Sequence, residues 1–247
     1  MTPTRESLRL AATLLLVGEL LSLVGLLHPG REAANNHPAV FAEYAESATW
    51  TAVHFGQFAS TAIIMAGLVA VFYALRLHSG GLRWVGRFAA VSAVVTLGLT
   101  AVLQAVDGVA LKQAVDAWVR APEAEKAARF ATAEGVRWLE WGVRSYQRSM
   151  LGVSLLLFAV LMVRTAQIPA PIGYLAGLTG LAYLGQGMVV GNEGFSPNGT
   201  AVSLLALVLE PVWIIWLFVS TSRLKPQSAT GTEELRAAAS PVLTGSG

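Results

Sequence analysis

An all-α bundle of six transmembrane helices, with both termini in the cytoplasm, is the fold class this sequence predicts. Three observations predict it. Apolar residues make up 54% of the chain and charged residues only 13%, about half the share that soluble domains carry. The apolar residues gather into six stretches close to the roughly 20 residues that a helix needs to cross a bilayer. Basic residues are concentrated in alternate connections, the asymmetry that orients membrane helices.

The first span, about residues 10–28, is broken only by Glu19 and follows Arg5 and Arg9. It is longer than a signal-peptide apolar core, carries an acid at its centre and lacks a small-x-small cleavage site, so it is expected to stay as a helix. The second, about 51–75, has His54 as its one ionisable residue, and the third, about 86–106, has no charge after Arg87. The fourth, about 145–164, opens with Arg148. The fifth, about 169–190, is uncharged and rich in glycine, and the sixth, about 201–221, contains Glu210.

Between the third and fourth spans the composition is that of helix rather than loop, since Ala, Glu, Lys and Arg dominate. Pro122 followed by Glu123 and Glu125 reads as a helix start, with proline in the first turn and acids facing the positive end of the dipole. A helical hairpin protruding outside is therefore expected there. Residues 1–225 would form one transmembrane domain, and 226–247, small and polar, a disordered cytoplasmic tail. His37 and His78 read as loop residues.

Orientation follows from Arg5 and Arg9, then Arg76, Arg83 and Arg87, then Arg164, then Arg223 and Lys225, all on one side of an alternating six-span path. The opposite short loops carry Arg31 against Glu32, Glu43, Glu46 and Glu193. A multi-pass protein of the bacterial plasma membrane is expected. The net charge of +2 comes without a lysine- or arginine-rich run, so nucleic acid is not an expected partner. The absence of cysteine excludes thiolate catalysis, cysteine-ligated clusters and disulfides. No cofactor is expected. Gly173/Gly177 and Gly187/Gly191 are small-xxx-small pairs that suit close helix packing, either within the chain or as a homodimer seam on the fifth span.

Polar residues inside spans are costly facing lipid, so they mark the bundle interior. One group lies near the outer boundary. It comprises His28, His54 and Gln57, Gln104 and Asp107, Arg144, Gln147 and Arg148, and Gln186. Three helices carry theirs at i, i+3 or i+4, on a single stripe. The group reads as an ion-paired plug with Asp107 against Arg144 or Arg148, or as a pocket for a polar head group or small solute. His28, His54 and Asp107 also make a two-histidine, one-carboxylate set, without the spacing of a metal motif, and no metal is expected. The second group is the pair Glu19 and Glu210, both about halfway through their spans, with no basic residue at that depth in the sequence pattern. If a closed ring brings the first and last helices together, the two carboxyls share one low-dielectric space and cannot both ionise cheaply. They read either as hydrogen-bonded structural acids, with Glu210 beside the Leu207 carbonyl that Pro211 frees, or as protonatable groups for catalysis or a coupled carrier.

The stretch Asn35-Asn36-His37-Pro38, then Phe41, Tyr44 and Trp50-Thr51-Ala52-Val53-His54-Phe55, resembles small actinobacterial integral membrane proteins of six spans and undescribed activity. The resemblance implies the fold and membrane location but no reaction. The leading expectation is binding or transport of a small solute or lipid through a polar pocket at the outer side, with membrane lipids as partners. The runner-up is a membrane-embedded enzyme using the Glu acids on a lipid-like or isoprenoid substrate. A structural or sensor subunit without a site is the third.

Overall fold

A computed structural model describes residues 3–77 and 80–222 of the chain. Among these residues it is all-helical and contains no strand. His78, Arg223, Lys225 and the expected tail lie outside the described residues.

The first helix, α1 (Pro3–Ser22), tightens into a 3-10 turn over Leu23–Leu27 and ends at His28, whose N–H bonds back to the Gly25 carbonyl. A short helix then follows, α2 (His37–Glu46), where the sequence reads as loop. Its local logic is a proline near the N-terminus, at Pro38, and an apolar face of Val40, Phe41 and Tyr44. The long helices are α3 (Trp50–Ala74), α4 (Gly81–Ala105), α6 (Glu123–Thr165), α7 (Ala170–Glu193) and α8 (Pro197–Ser222), and α5 (Lys112–Val119) links α4 to the turn before α6. Beyond the third expected span the chain stays helical, as the expected hairpin requires. A π-helical segment, Val106–Leu111, carries it on into α5, so the helical path runs from Gly81 to Val119.

Among the described residues five stretches are long and apolar enough to cross a membrane: Arg5–Leu27, Trp50–Ala74, Gly81–Val119, Glu123–Thr165 and Pro197–Ser222. Helix α7 has the length, at 24 residues, but its many glycines dilute its hydropathy. It nevertheless packs as a full member of the bundle. Neighbours touch in the order α1–α3–α4–α6–α7–α8 and back to α1. This ring places the first and last long helices side by side.

The centre of the ring is filled by Leu15, Met65, Leu68, Phe158, Met162, Ile172 and Trp213. Leu20, Phe88, Val91, Leu178, Leu181, Leu205 and Ile215 stand exposed on the outside. Helices apolar inside and out suit a lipid surround. Helix α7 lies closest to α6. A Cβ at Gly152 would stand 2.6 Å from the Gly180 carbonyl oxygen, and one at Gly187 would stand 2.7 Å from the Ser145 carbonyl oxygen. Gly173, Gly177, Gly180, Gly187 and Gly191 of α7 all face α6, and Ser145 Oγ donates to the Gly187 carbonyl at 2.7 Å across this contact. At one end of the ring a second core forms. There α2 lays Val40, Phe41 and Tyr44 on Trp50, Leu111, Val115 and Ala133.

Candidate functional site

The polar groups gather around the face of α6 that looks into the ring. Asp107 sits in the π-helical segment, where the wider turn alters the carbonyl ladder, and its own carbonyl accepts from Trp50 Nε1 at 3.2 Å. Gly108 lets α3 approach here, since a Cβ on it would stand 2.7 Å from His54 Cβ. The Asp107 carboxylate therefore lies against α3 and α6 together. Its Oδ2 is 2.9 Å from Arg144 Nη2 and 3.3 Å from His54 Nε2. On its other side the His54 ring bonds through Nδ1 to the Trp50 carbonyl at 2.8 Å.

Arg144 also donates through Nε to Glu140 at 2.6 Å, and Glu140 accepts from Arg137 Nη1 at 2.8 Å. Two buried carboxylates and two guanidiniums alternate along this chain, so their charges balance. Arg137 continues to the Tyr44 hydroxyl at 3.2 Å, which ties α2 to α6. Glu140 and Arg137 are fully buried members that the sequence reading did not select. Their signal was present in the spacing, because Arg137, Glu140 and Arg144 stand at i, i+3 and i+7 on one helical stripe.

Above this chain lies a cavity of about 320 Å³ that His28, Tyr44, Asp107, Arg137, Arg144 and Gln57 help to line. The connection 28–36 forms part of its wall through Pro29, Gly30, Glu32 and Ala34. Two clamps hold that connection. Glu43 accepts from the Arg31 and Glu32 backbone N–H groups at 3.0 and 3.2 Å, and from Arg31 Nε at 3.1 Å. Asn35 donates to the Glu193 carbonyl and accepts from the Phe195 N–H, at 3.1 and 3.0 Å. Burial pushes the Glu43 carboxyl up, but the Arg31 and Glu32 hydrogen bonds and the Arg31 charge outweigh it and hold it below its ordinary value.

A second cavity, of about 250 Å³, shares Gln57 and Arg144 with the first and reaches deeper into the ring. Glu19 of α1 and Glu210 of α8 both line it, as do Gln104, Gln147, Arg148 and Tyr183. Glu210 accepts a short hydrogen bond from the Tyr183 hydroxyl. The Leu207 carbonyl that Pro211 frees is not its partner among the described residues. Arg148 shares this wall, so a basic group does reach the mid-bundle acids, contrary to the expectation from sequence depth. Arginine is long, and one that starts nearer the end of a helix can carry its charge a turn or more inward. Arg148 lies over the Tyr183 ring at 5.1 Å. Tyr183 had no signal in sequence beyond its place one turn before Gln186.

The remaining selected residues fall as follows. Gln104 donates to Gln57 at 3.4 Å and Gln147 to the Thr100 hydroxyl at 3.2 Å, both around the second cavity. His28 bonds to the Pro29 carbonyl through Nδ1 at 2.7 Å, with its ring 5.2 Å from that of His54. Gln186 stands apart from the first cavity. It donates to Ser203 at 2.6 Å and lines a third cavity, of about 290 Å³, between α7 and α8. His37 is not a loop residue. It begins α2, is buried, and pairs with Glu134 at 2.9 Å. Among the described residues no three histidine or acidic side chains converge as a metal site requires.

Several polar atoms around the cavities are buried without a partner in the protein: Asp107 Oδ1, Arg137 Nε, Gln104 Oε1, Gln147 Oε1 and Arg148 Nε. Buried polar atoms are normally satisfied, so these are hydrogen-bonding capacity that the protein's own groups leave unused. Comparison with curated proteins and with solved structures finds no match. A family model does match residues 10–220, nearly the whole helical bundle. The chain, a helical protein with several helices apolar enough for a membrane, belongs to the family described as domain of unknown function DUF4386.

Proposed function

We propose that the protein is a six-span protein of the plasma membrane, with both termini cytoplasmic, and that it binds a small solute or lipid in a polar pocket open to the outer side. The observation that carries this reading is the pair of cavities that share Gln57 and Arg144 in their walls, the first bounded by the 28–36 connection and the second by Glu19 and Glu210. A plug would fill this space with mutually satisfied side chains, whereas here two cavities remain and polar atoms of residues that line them keep no partner in the protein.

The orientation rests on the ends of the ring. Arg9, Arg76, Arg83, Arg87 and Arg164 gather at the end where α3 finishes and α4 begins. The Gln167 side chain donates to the Leu75 carbonyl at that same end. The positive-inside tendency makes it cytoplasmic. Helix α7 completes the six spans because it runs the depth of the ring between α6 and α8.

The test is a thermal-unfolding panel on the purified protein with small polar solutes and lipids. A ligand at 100 times its Kd stabilises the folded state by about 2.7 kcal/mol. The reading expects a stabilising ligand whose effect is lost in Gln57→Leu, which removes the amide that lines both cavities. A panel with no stabilising member, or one whose shifts are unchanged by Gln57→Leu, overturns it.

A further inference from the structure

Three arginines line one stripe of α6, and they are not alike. Arg137 and Arg144 each have a carboxylate partner, at 2.8 Å for Arg137 and at 2.6 and 2.9 Å for Arg144. Arg148 forms no ion pair among the described residues, and its Nε is buried without an acceptor. It lies over the face of Tyr183, whose hydroxyl is already committed to Glu210 on the same cavity wall. Arg148 is half-buried, and a guanidinium drawn partly from water with no carboxylate at ion-pair distance keeps donor capacity that an added oxyanion can meet.

The position of Arg148 says what kind of anion. It lines the second cavity and the third, so it stands where they meet. The third cavity runs between α7 and α8, with Gln186, Ser203, Leu204 and Leu207 in its wall. Leu204 and Leu207 are 55% and 61% exposed on the outer surface of α8. The mouth of this cavity therefore opens sideways, toward where lipid lies, rather than along the bundle axis. Ser203 is six residues into α8, about 9 Å from its start at 1.5 Å per residue. That depth is near the boundary between head groups and hydrocarbon. Polar walls inside and leucines at the rim suit a molecule whose head enters and whose tail does not.

We propose that Arg148 recognises the acidic head, carboxylate or phosphate, of a hydrocarbon-chain amphiphile that enters laterally between α7 and α8. Guanidinium binds both kinds of oxyanion through paired N–H donors. Gln186 and the Ser203 hydroxyl supply neutral hydrogen bonds at the entrance, and the chain remains against the leucines in the bilayer. This rests on the pocket reading above and names the ligand class for it.

The test measures binding to the full chain in nanodiscs of neutral phosphatidylcholine. The probes are oleate, an oleoyl lysophosphatidate, oleyl alcohol, acetate and inorganic phosphate. The expected result is saturable binding of oleate, the lysophosphatidate or both, at least tenfold tighter than oleyl alcohol, with acetate and phosphate weaker still. Which of the two binds tells carboxylate from phosphate. Arg148→Gln should weaken the acidic probe at least tenfold, Arg148→Lys less so, and Arg129→Gln, on the exposed part of α6, not at all. The comparison of oleate with oleyl alcohol needs no variant, so it holds even if Arg148→Gln folds poorly. Equal binding of the alcohol, or full affinity in Arg148→Gln, overturns the proposal. If a solute sensitive to Gln57→Leu still binds in that case, the pocket reading stands without it. If no probe or solute binds, both fall.

Discussion

The Asp107 carboxylate and the Arg144 guanidinium meet at 2.9 Å although 37 residues separate them along the chain. The contact joins the end of one long helix to the middle of another at the level where the first cavity begins. Asp107 is almost fully buried, so the pair is screened little by water. Removing one partner of such a pair leaves the other uncompensated and costs about 3–5 kcal/mol. Asp107→Ala should lower stability by that order in denaturant or thermal unfolding. Asp107→Ala combined with Arg144→Leu should recover part of the loss. Additive losses would contradict direct pairing.

Helix α7 is set by the closeness of its backbone to α6. Gly152→Ala should cost about 1–3 kcal/mol, because the new methyl meets the Gly180 carbonyl at 2.6 Å and backbone cannot move aside cheaply. Gly98→Ala, with nothing within 4 Å of its Cβ, should be neutral or stabilise by up to about 1 kcal/mol. Unfolding midpoints of the two variants in one detergent check the contrast.

Glu43 gives the pH dependence. Its carboxyl is held below the ordinary 4.5 by the Arg31 and Glu32 donors, against the opposing effect of burial. A depressed acid stabilises the fold above its unfolded value, and that stabilisation is lost as pH falls from 4.5 through the folded value. The 28–36 connection should therefore loosen in this acid window, read as faster hydrogen exchange at the Arg31 and Glu32 amides. Glu43→Gln should exchange fast at pH 7 and show no further change on acidification. Protection that is equal in both proteins at pH 7 would contradict the clamp.

How far the sequence discloses this molecule depends on what kind of contact is asked about. The long helices are legible because lipid demands apolar runs of nearly fixed length. The outer polar stripe is legible because polar side chains within such runs have few places to go. Helix α2 is hidden because a ten-residue helix in a polar loop has no length signal and gains its stability from packing on Trp50 and Leu111. The π-helical turn at Asp107 is hidden because one extra residue per turn leaves composition unchanged. Arg148 beside Glu210 is hidden because spacing along a helix fixes the depth of Cα atoms only, whereas a guanidinium reaches several ångströms along the helix.

Glu19 and Glu210 share the wall of the second cavity. Groups coupled through one space give non-additive effects of about 0.5–3 kcal/mol. A double-mutant cycle with Glu19→Gln and Glu210→Gln should show such an interaction in thermal unfolding, with both single variants still inserted and folded. A zero interaction would separate the two acids.

The six-span path also makes a topological prediction. Reporter fusions after Leu82 and after Ala128 should lie on opposite sides of the membrane, the first cytoplasmic and the second outside. The same side for both would contradict the path.

The central claim is a polar pocket that water reaches from outside. The chain has no cysteine, so a single introduced thiol reports its own surroundings. Gln57→Cys in the wall of both cavities and Thr61→Cys one turn deeper should react with a membrane-impermeant thiol reagent added to right-side-out vesicles. Val94→Cys, on the outer face of α4, should not. Reaction of both cavity positions from outside is the predicted result. No reaction at either, or reaction only in inside-out vesicles, would contradict the account.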